Sequence, residues 1–174
     1  MNKIAGILVL AFTAAFLAAA TADAPAYVGA AKCKDCHRTE KQGKQHPIWE
    51  AGLHSRAFAN LKTDKSKPYA EAAGVTGPVE QAPACLKCHA PLFDKSPDLA
   101  AEGVSCEACH GAGSLYRKLN IMMNRDKSVQ NGLVVYADQD AIKAQCLTCH
   151  ADAHGIVLDF AAGWEKIKHY RPKK

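Results

Sequence analysis

The stretch Cys106-Glu107-Ala108-Cys109-His110 follows a pattern that occurs three more times in this chain of 174 residues. The other copies are Cys33-Lys34-Asp35-Cys36-His37, Cys85-Leu86-Lys87-Cys88-His89 and Cys146-Leu147-Thr148-Cys149-His150. Together the four copies use all eight cysteines of the chain, and each places a histidine directly after its second cysteine. The fold therefore has to accommodate four sites that share the same cysteine and histidine chemistry.

Three interpretations of these cysteines compete. A disulfide framework suits an exported protein, but it does not require a histidine after every second cysteine. A structural zinc site uses paired C-x-x-C units and is equally indifferent to the residue that follows. A C-x-x-C-H unit is the attachment sequence of a c-type haem, in which two thiols form thioether links and the histidine binds the iron. The pattern therefore predicts four covalently bound haem c groups, with His37, His89, His110 and His150 as proximal iron ligands.

The composition constrains the fold and the class of partner. Hydrophobic residues make up 48% of the chain and charged residues 22%, which argues against both a membrane protein and a disordered tail. The net charge of +5 comes from scattered Lys and Arg, so a nucleic-acid surface has little support. Aromatic residues amount to only 7%, which suits a core whose flat apolar area comes from porphyrin. We therefore expect a mainly α fold with long loops, a compact multihaem cytochrome in which the haem cluster forms much of the core.

The first 22 residues have the three parts of a secretory signal peptide. Met1-Asn2-Lys3 is a short positive start, residues 4–20 form an apolar run, and Ala20-Thr21-Ala22 offers small residues for cleavage. An uncleaved membrane anchor is the alternative. We expect residues 1–22 to be removed, leaving 23–174 as a single tetrahaem cytochrome c domain without a transmembrane segment. The protein is then periplasmic or otherwise exported.

Hydrophobic periodicity and capping residues predict short helices joined by loops. The helices are expected at residues 47–61, 97–102, 138–150 and 160–170, with a short helical piece at 70–73. Ser96, an acidic cluster at Asp138, and Asp159 are the expected caps of the last three helices. Residues 133–136 are the only candidate strand.

Four histidines lie outside the motifs, which allows a second histidine for each of the four irons. His54 is predicted on the apolar side of the 47–61 helix, where an unpaired imidazole is costly to bury, and His169 near the end of the last helix. His46 precedes Pro47 and is either a ligand or a solvated turn residue. His154 follows His150 by four residues and can serve a neighbouring haem.

Methionine is the other candidate for the second axial ligand. Met122 and Met123 are the two methionines inside the chain, and a methionine ligand raises the iron potential. Ordinary filling of the core is the alternative role for both side chains.

Several segments resemble a known family. They are Tyr27-Val28-Gly29, Trp49 with His54 and Ala57, and residues 83–89, 102–111, 113–116 and 164–169. The chain resembles the tetrahaem cytochrome c family typified by the hydroxylamine-oxidoreductase electron acceptor of nitrifiers. The resemblance implies a compact cluster of parallel and perpendicular haem pairs, mostly bis-histidine coordination, and electron transfer outside the cytoplasm. It also supports His54 and His169 as distal ligands.

The chain departs from that family at one point. The typifying member takes one axial histidine from between its third and fourth motifs, whereas this sequence has no histidine between His110 and His150. Met122 or Met123 then ligates one iron, His46 or His154 substitutes, or one iron is open, as also occurs in the typifying member.

We expect an electron carrier that passes single electrons between redox partner proteins, with no catalytic acid, base or nucleophile. Two alternatives belong to other classes. One is a haem enzyme with an open iron that acts on a small nitrogen or oxygen species. The other is a haem filament, a homo-oligomer in which a ligand such as His46 or His169 reaches into a neighbouring subunit.

Overall fold

The computed structural model describes residues 24–151 and 153–170. The predicted signal peptide at residues 1–22 lies outside the described residues, and the single domain at 23–174 stays a prediction. In the described part of the chain, no helix combines the length and apolar composition needed to cross a bilayer.

The described residues form short helices joined by turns and loops, so the mainly α fold class is confirmed. The α-helices are α1 (Ala31–His37), α2 (Gln45–Ala51), α3 (Ala57–Leu61), α4 (Lys67–Ala72), α5 (Pro83–His89), α6 (Cys106–His110), α7 (Leu119–Met122), α8 (Arg125–Gln130), α9 (Gln139–His150) and α10 (Phe160–Ile167). Single 3-10 segments lie at Glu40–Gln42, His54–Arg56, Asp64–Ser66, Val79–Gln81, Pro97–Glu102 and Ala153–Gly155.

Helix capping explains where the two longest helices begin. The Asp138 carboxylate accepts a hydrogen bond from the amide of Ala141 at 2.8 Å, and Asp159 accepts one from Ala162 at 3.0 Å. Each bond satisfies an amide that the first helical turn leaves without a partner. Both caps were predicted from the sequence and are confirmed. The predicted cap at Ser96 is wrong, since its side chain makes no capping bond to the 3-10 segment that follows.

The predicted continuous helix over 47–61 is wrong. α2 ends at Ala51, because Gly52 is extended with ψ of 173°, and the chain resumes as a 3-10 turn before α3. This break lets the His54 carbonyl accept a hydrogen bond from the Val104 amide at 3.0 Å. The Trp49 indole donates to the Val104 carbonyl at 2.8 Å. Contacts with Val104, which is distant in sequence, therefore determine the path of the chain between α2 and α3.

Two further predictions are wrong, one on the end of a helix and one on a strand. α10 ends at Ile167 and not at 170, because Lys168 has ψ of 139° and leaves the helical conformation. Residues 133–136 form no strand. They run beside α6 instead, where the Val134 amide donates to the His110 carbonyl at 3.0 Å.

The apolar core built from side chains is small. Its buried residues Leu61, Leu86 and Ala90 pack with Phe58 and Phe93 between α3, α5 and the neighbouring loop. Several large apolar side chains elsewhere are more than 60% exposed, namely Leu53, Leu119, Met123, Ile156 and Val157. All five line one large cavity. The polypeptide therefore builds a shell around a space that its own side chains leave open.

Gly103 offers a direct test of the contact between the 3-10 turn and the segment before α6. It has φ of +69°, and a Cβ there would lie 2.5 Å from the His54 carbonyl oxygen. We expect Gly103→Ala to lower the free energy of unfolding by about 2–3 kcal/mol, through backbone strain and the clash together. Thermal unfolding of the purified protein measures this loss.

Gly74→Ala is the control for a positive φ without a clash, since Gly74 also has φ of +69° but has nothing within 4 Å of its Cβ position. Its expected loss is about 1 kcal/mol, from strain alone. Equal losses in the two variants would contradict a close contact at Gly103.

A candidate haem centre

All eight cysteines and all eight histidines of the chain line a single cavity of about 2840 Å³. Divided among four motifs, this is about 700 Å³ for each, within the range of about 300–1,000 Å³ for a site that binds one organic ligand. Because every motif opens onto the same space, groups bound there would lie against one another. The cavity therefore has the size and the lining expected for a cluster of large apolar cofactors.

Each C-x-x-C-H motif sits at the carboxyl end of a helix. α1, α5, α6 and α9 end on His37, His89, His110 and His150, respectively. Cysteines three positions apart in a helix lie on the same side, so the two thiols of a motif can reach one edge of a bound group. All eight thiols are unpaired, which leaves both thiols of every motif available for thioether links.

Three of the four motif histidines face a histidine from elsewhere in the chain. The ring centroids are 6.1 Å apart for His150 and His54, and 6.2 Å for His89 and His154. Those of His110 and His169 are 5.9 Å apart. A metal–imidazole bond is about 2.0–2.1 Å long, so two imidazoles on opposite sides of one metal ion have centroids about 6 Å apart. The three pairs therefore have the spacing of axial ligands on either side of an iron.

Hydrogen bonds fix which ring nitrogen faces the cavity. The His89 Nδ1 lies 2.9 Å from the Ala57 carbonyl oxygen, and the His110 Nδ1 lies 3.3 Å from that of Val134. A carbonyl oxygen only accepts, so Nδ1 carries the hydrogen and Nε2 is left to bind metal. Burial also lowers the pKa of His110, which favours the neutral imidazole that metals bind.

His54 and His169 lie in less regular backbone than the sequence indicated. His54 opens a 3-10 turn rather than lying within a helix, and burial lowers its pKa. His169 lies two residues beyond the end of α10, where its Nδ1 donates to the Ile167 carbonyl at 3.1 Å. Irregular backbone aims each of these rings at a motif histidine.

His154 has an unusual backbone conformation. Its φ of 62° lies in the left-handed region, which non-glycine residues rarely adopt, and such residues cluster at functional sites. Its ring also packs against Tyr69, with centroids 4.5 Å apart. This conformation places the ring opposite His89 and not opposite His150, four residues earlier in the chain.

The first motif differs from the other three. The His37 Nδ1 lies 3.2 Å from the amide oxygen of Gln45, whose nitrogen donates to the Tyr170 carbonyl at 3.0 Å. The second bond orients the Gln45 amide, so His37 is the donor in the first. All eight histidines lie in the described residues, and none of the others forms a ring pair with His37.

His46 lines the cavity but is not paired with a motif histidine. Only 4% of it is exposed, its Nδ1 has no hydrogen-bond partner, and its ring meets Trp49 edge-on at 5.3 Å. Burial lowers its pKa, so the imidazole is predominantly neutral at pH 7. Met122 and Met123 also line the cavity, but imidazoles already face three of the motif histidines.

Contacts between cysteines of different motifs give the spatial order of the motifs. The Cys33 thiol contacts that of Cys106, and this contact together with burial raises the pKa of Cys106. Cys88 contacts Cys149 in the same way, and burial with this contact raises the pKa of Cys88. Burial and the neighbouring Cys146 raise the pKa of Cys109 to about 11. The motifs therefore follow one another in space as first, third, fourth and second.

The cysteines do not gather into zinc-type clusters. Over residues 24–151 and 153–170, no three or more His, Cys, Asp or Glu side chains converge to hold a bare metal ion. The donor groups form cysteine pairs on helices and imidazole pairs across a cavity. This arrangement fits a metal that arrives inside a planar organic ring.

Comparisons with known proteins agree with the geometry. The family described as cytochrome c554 and c-prime matches residues 32–111, which contain the first three motifs. Cytochrome c-554 from Nitrosomonas europaea is 27% identical over 149 residues, covering 77% of this chain and 61% of that protein. No solved structure gives a significant match. With four C-x-x-C-H motifs around one cavity, the chain is similar to cytochrome c554 and c-prime over the first three of those motifs, and to cytochrome c-554 over a longer stretch.

Proposed function

We propose that this protein is an electron carrier that holds four haem c groups and exchanges single electrons with redox partner proteins. The observation that carries the proposal is the convergence of all eight cysteines and all eight histidines on one cavity. Haem c supplies one-electron chemistry at the iron, with a potential set by the axial ligands and their surroundings. The similarity to cytochrome c-554 supports the same role.

The residues have distinct tasks in this proposal. The cysteine pairs of the four motifs form the thioether links, and the motif histidines are the proximal ligands. The distal ligands are His54 opposite His150, His154 opposite His89, and His169 opposite His110, on the strength of the 5.9–6.2 Å ring separations. Two imidazoles keep an iron six-coordinate and at low potential, which suits a carrier.

The order of the motifs in space supports a carrier with two ends. Thiol contacts link the first motif to the third and the fourth to the second, and Cys109 of the third motif lies near Cys146 of the fourth. The first and second motifs are therefore the terminal sites of the series. We expect donor and acceptor proteins to approach the molecule near these two ends.

The proposal includes the location of the protein. The predicted signal peptide directs residues 23–174 out of the cytoplasm as one tetrahaem domain.

One observation favours a second function at the first motif. His37 has no imidazole opposite it, while His46 lies buried in the same cavity, and its Nδ1 makes no hydrogen bond but lies 3.8 Å from the Glu50 carboxylate. A proximal ligand alone leaves one iron position open to a small nitrogen or oxygen species, and a neutral imidazole nearby can hydrogen-bond to such a molecule. This arrangement is compatible with a carrier that also binds a small molecule at one end.

Carbon monoxide tests the coordination proposed for the four irons. We expect the dithionite-reduced protein to shift its Soret band on addition of carbon monoxide in about one quarter of its haem, because one iron in four lacks a second histidine. The visible spectrum with and without the gas measures this fraction. An unchanged spectrum would mean that all four irons are six-coordinate, and a shift of all the haem would contradict the three histidine pairs.

Alanine variants test the pairing ligand by ligand. We expect His54→Ala, His154→Ala and His169→Ala each to convert one low-spin haem to high-spin while the covalent haem content stays at four, since the thioether links are untouched. Electron paramagnetic resonance counts the spin states. His46→Ala is the matched control and should leave the number of low-spin haems unchanged. A new high-spin signal in His46→Ala would show that His46 is a ligand after all.

Redox titration separates carrier from enzyme. The proposal expects four reversible one-electron transitions and no consumption of hydroxylamine, nitrite or hydrogen peroxide by the reduced or oxidised protein. Steady turnover of any of these molecules would overturn the carrier role and favour the enzyme.

A further inference from the structure

A buried carboxylate lies inside the third motif. Glu107 follows Cys106 directly and is only 2% exposed. Its carboxylate accepts hydrogen bonds from the amides of Gly29 at 2.8 Å, Gly113 at 2.6 Å and Val28 at 3.0 Å. Hydrogen bonds from backbone amides favour the charged form of a carboxyl group. Within the described residues no Lys or Arg forms an ion pair with it, so backbone amides alone offset its charge.

A second carboxylate continues this arrangement. Both oxygens of Glu102 accept from the Ala30 amide, at 3.0 and 2.9 Å. Three successive amides, those of residues 28–30, therefore point at two carboxylates that flank or lie within the third motif. The helix that carries the first motif, α1, begins at the next residue, Ala31.

Two glycines leave room for these carboxylates. A Cβ at Gly29, where φ is +84°, would lie 2.8 Å from Glu102 Oε1, and one at Gly113 would lie 2.9 Å from Glu107 Oε1. The Ala26 amide donates to the Ser114 hydroxyl at 2.8 Å, and the Ser114 amide donates to the Ala26 carbonyl at 3.1 Å. The segment before α1 is thus fastened to both flanks of α6 by charge-assisted and neutral hydrogen bonds.

The negative charges of the two carboxylates affect cysteines of the first and third motifs. Contact with the Cys106 thiol lowers the pKa of Cys33, while burial and the negative charges of Glu107 and Glu102 act in the opposite direction. Glu102 also adds to the raised pKa of Cys106, after the contact with Cys33 and burial. Glu102 therefore acts electrostatically on the first and third attachment sites, and Glu107 acts on the first.

We propose that Glu107, assisted by Glu102, is a positioning residue that holds the first haem site against the third and lowers the reduction potential of both. The inference rests on the proposed function, because it concerns the irons held at those sites. Hydrogen bonds to residues 28–30 fix Cys33 beside Cys106. The buried negative charge favours the oxidised iron, since the potential of such a site depends on local charge and burial.

Redox titration of Glu107→Gln in the four-haem protein tests the proposal. We expect two of the four transitions to move to higher potential, with the reduction equilibrium shifting about tenfold, or 59 mV for one electron. The other two transitions should stay in place. Glu71→Gln is the matched control, since Glu71 is exposed on α4 and its loss of charge should move none of them.

Further variants keep the test decisive. Glu102→Gln should raise the potentials of the same two transitions, and this variant replaces Glu107→Gln in the test if Glu107→Gln does not fold. Glu107→Asp keeps the charge but is shorter, so it should reduce thermal stability with a smaller change in potential. Unchanged potentials in both glutamine variants, with four haems retained, would overturn the inference and leave a purely structural clamp. Failure of the proposed function itself would show already in the wild-type protein, as fewer than four haems or no reversible reduction.

Discussion

A short chain has to enclose a large apolar space that its own side chains do not fill, and the rest of the structure follows from this constraint. The apolar cluster around Leu61, Leu86 and Ala90 is small, whereas the cavity measures about 2840 Å³. Stable interiors are normally close-packed, so an empty cavity of this size would be very costly. Four covalently held haems would supply the missing core. This explains why side chains such as Leu119 and Val157 face the cavity and not a neighbouring helix.

The polypeptide organises this space with a few repeated devices. Each motif histidine ends a helix, and backbone carbonyls hold the Nδ1 of His89 and His110 so that Nε2 faces inward. Opposing imidazoles come from turns and chain ends, where the backbone is free to aim one ring. Long-range hydrogen bonds to the buried Glu107 then join segments 78 and 79 positions apart in sequence. Hydrogen bonds therefore both position the histidine ligands and hold together segments that share few apolar contacts.

Sequence reasoning predicted the parts of this structure that depend on local chemistry. The C-x-x-C-H spacing, the mainly α fold and the caps at Asp138 and Asp159 all follow from neighbouring residues, and the fold class and the caps are confirmed by the structure. The prediction failed for the helix over 47–61, because the break at Gly52 serves a contact between His54 and Val104 from another part of the chain. The pairing of His154 with His89 likewise depends on a left-handed backbone conformation that no spacing rule indicates. Glu107 was visible in the third motif, but its partners lie near the start of the first helix and only the fold brings them together.

The central claim is that four covalently attached haems fill the cavity and complete the core. Intact-mass spectrometry of the purified, denatured protein tests it most directly, because thioether links survive unfolding whereas coordinate bonds and packing do not. We expect a mass equal to the polypeptide plus four haem groups, with every cysteine consumed. A mass matching the bare chain, or one carrying fewer haems with free thiols remaining, would contradict the account.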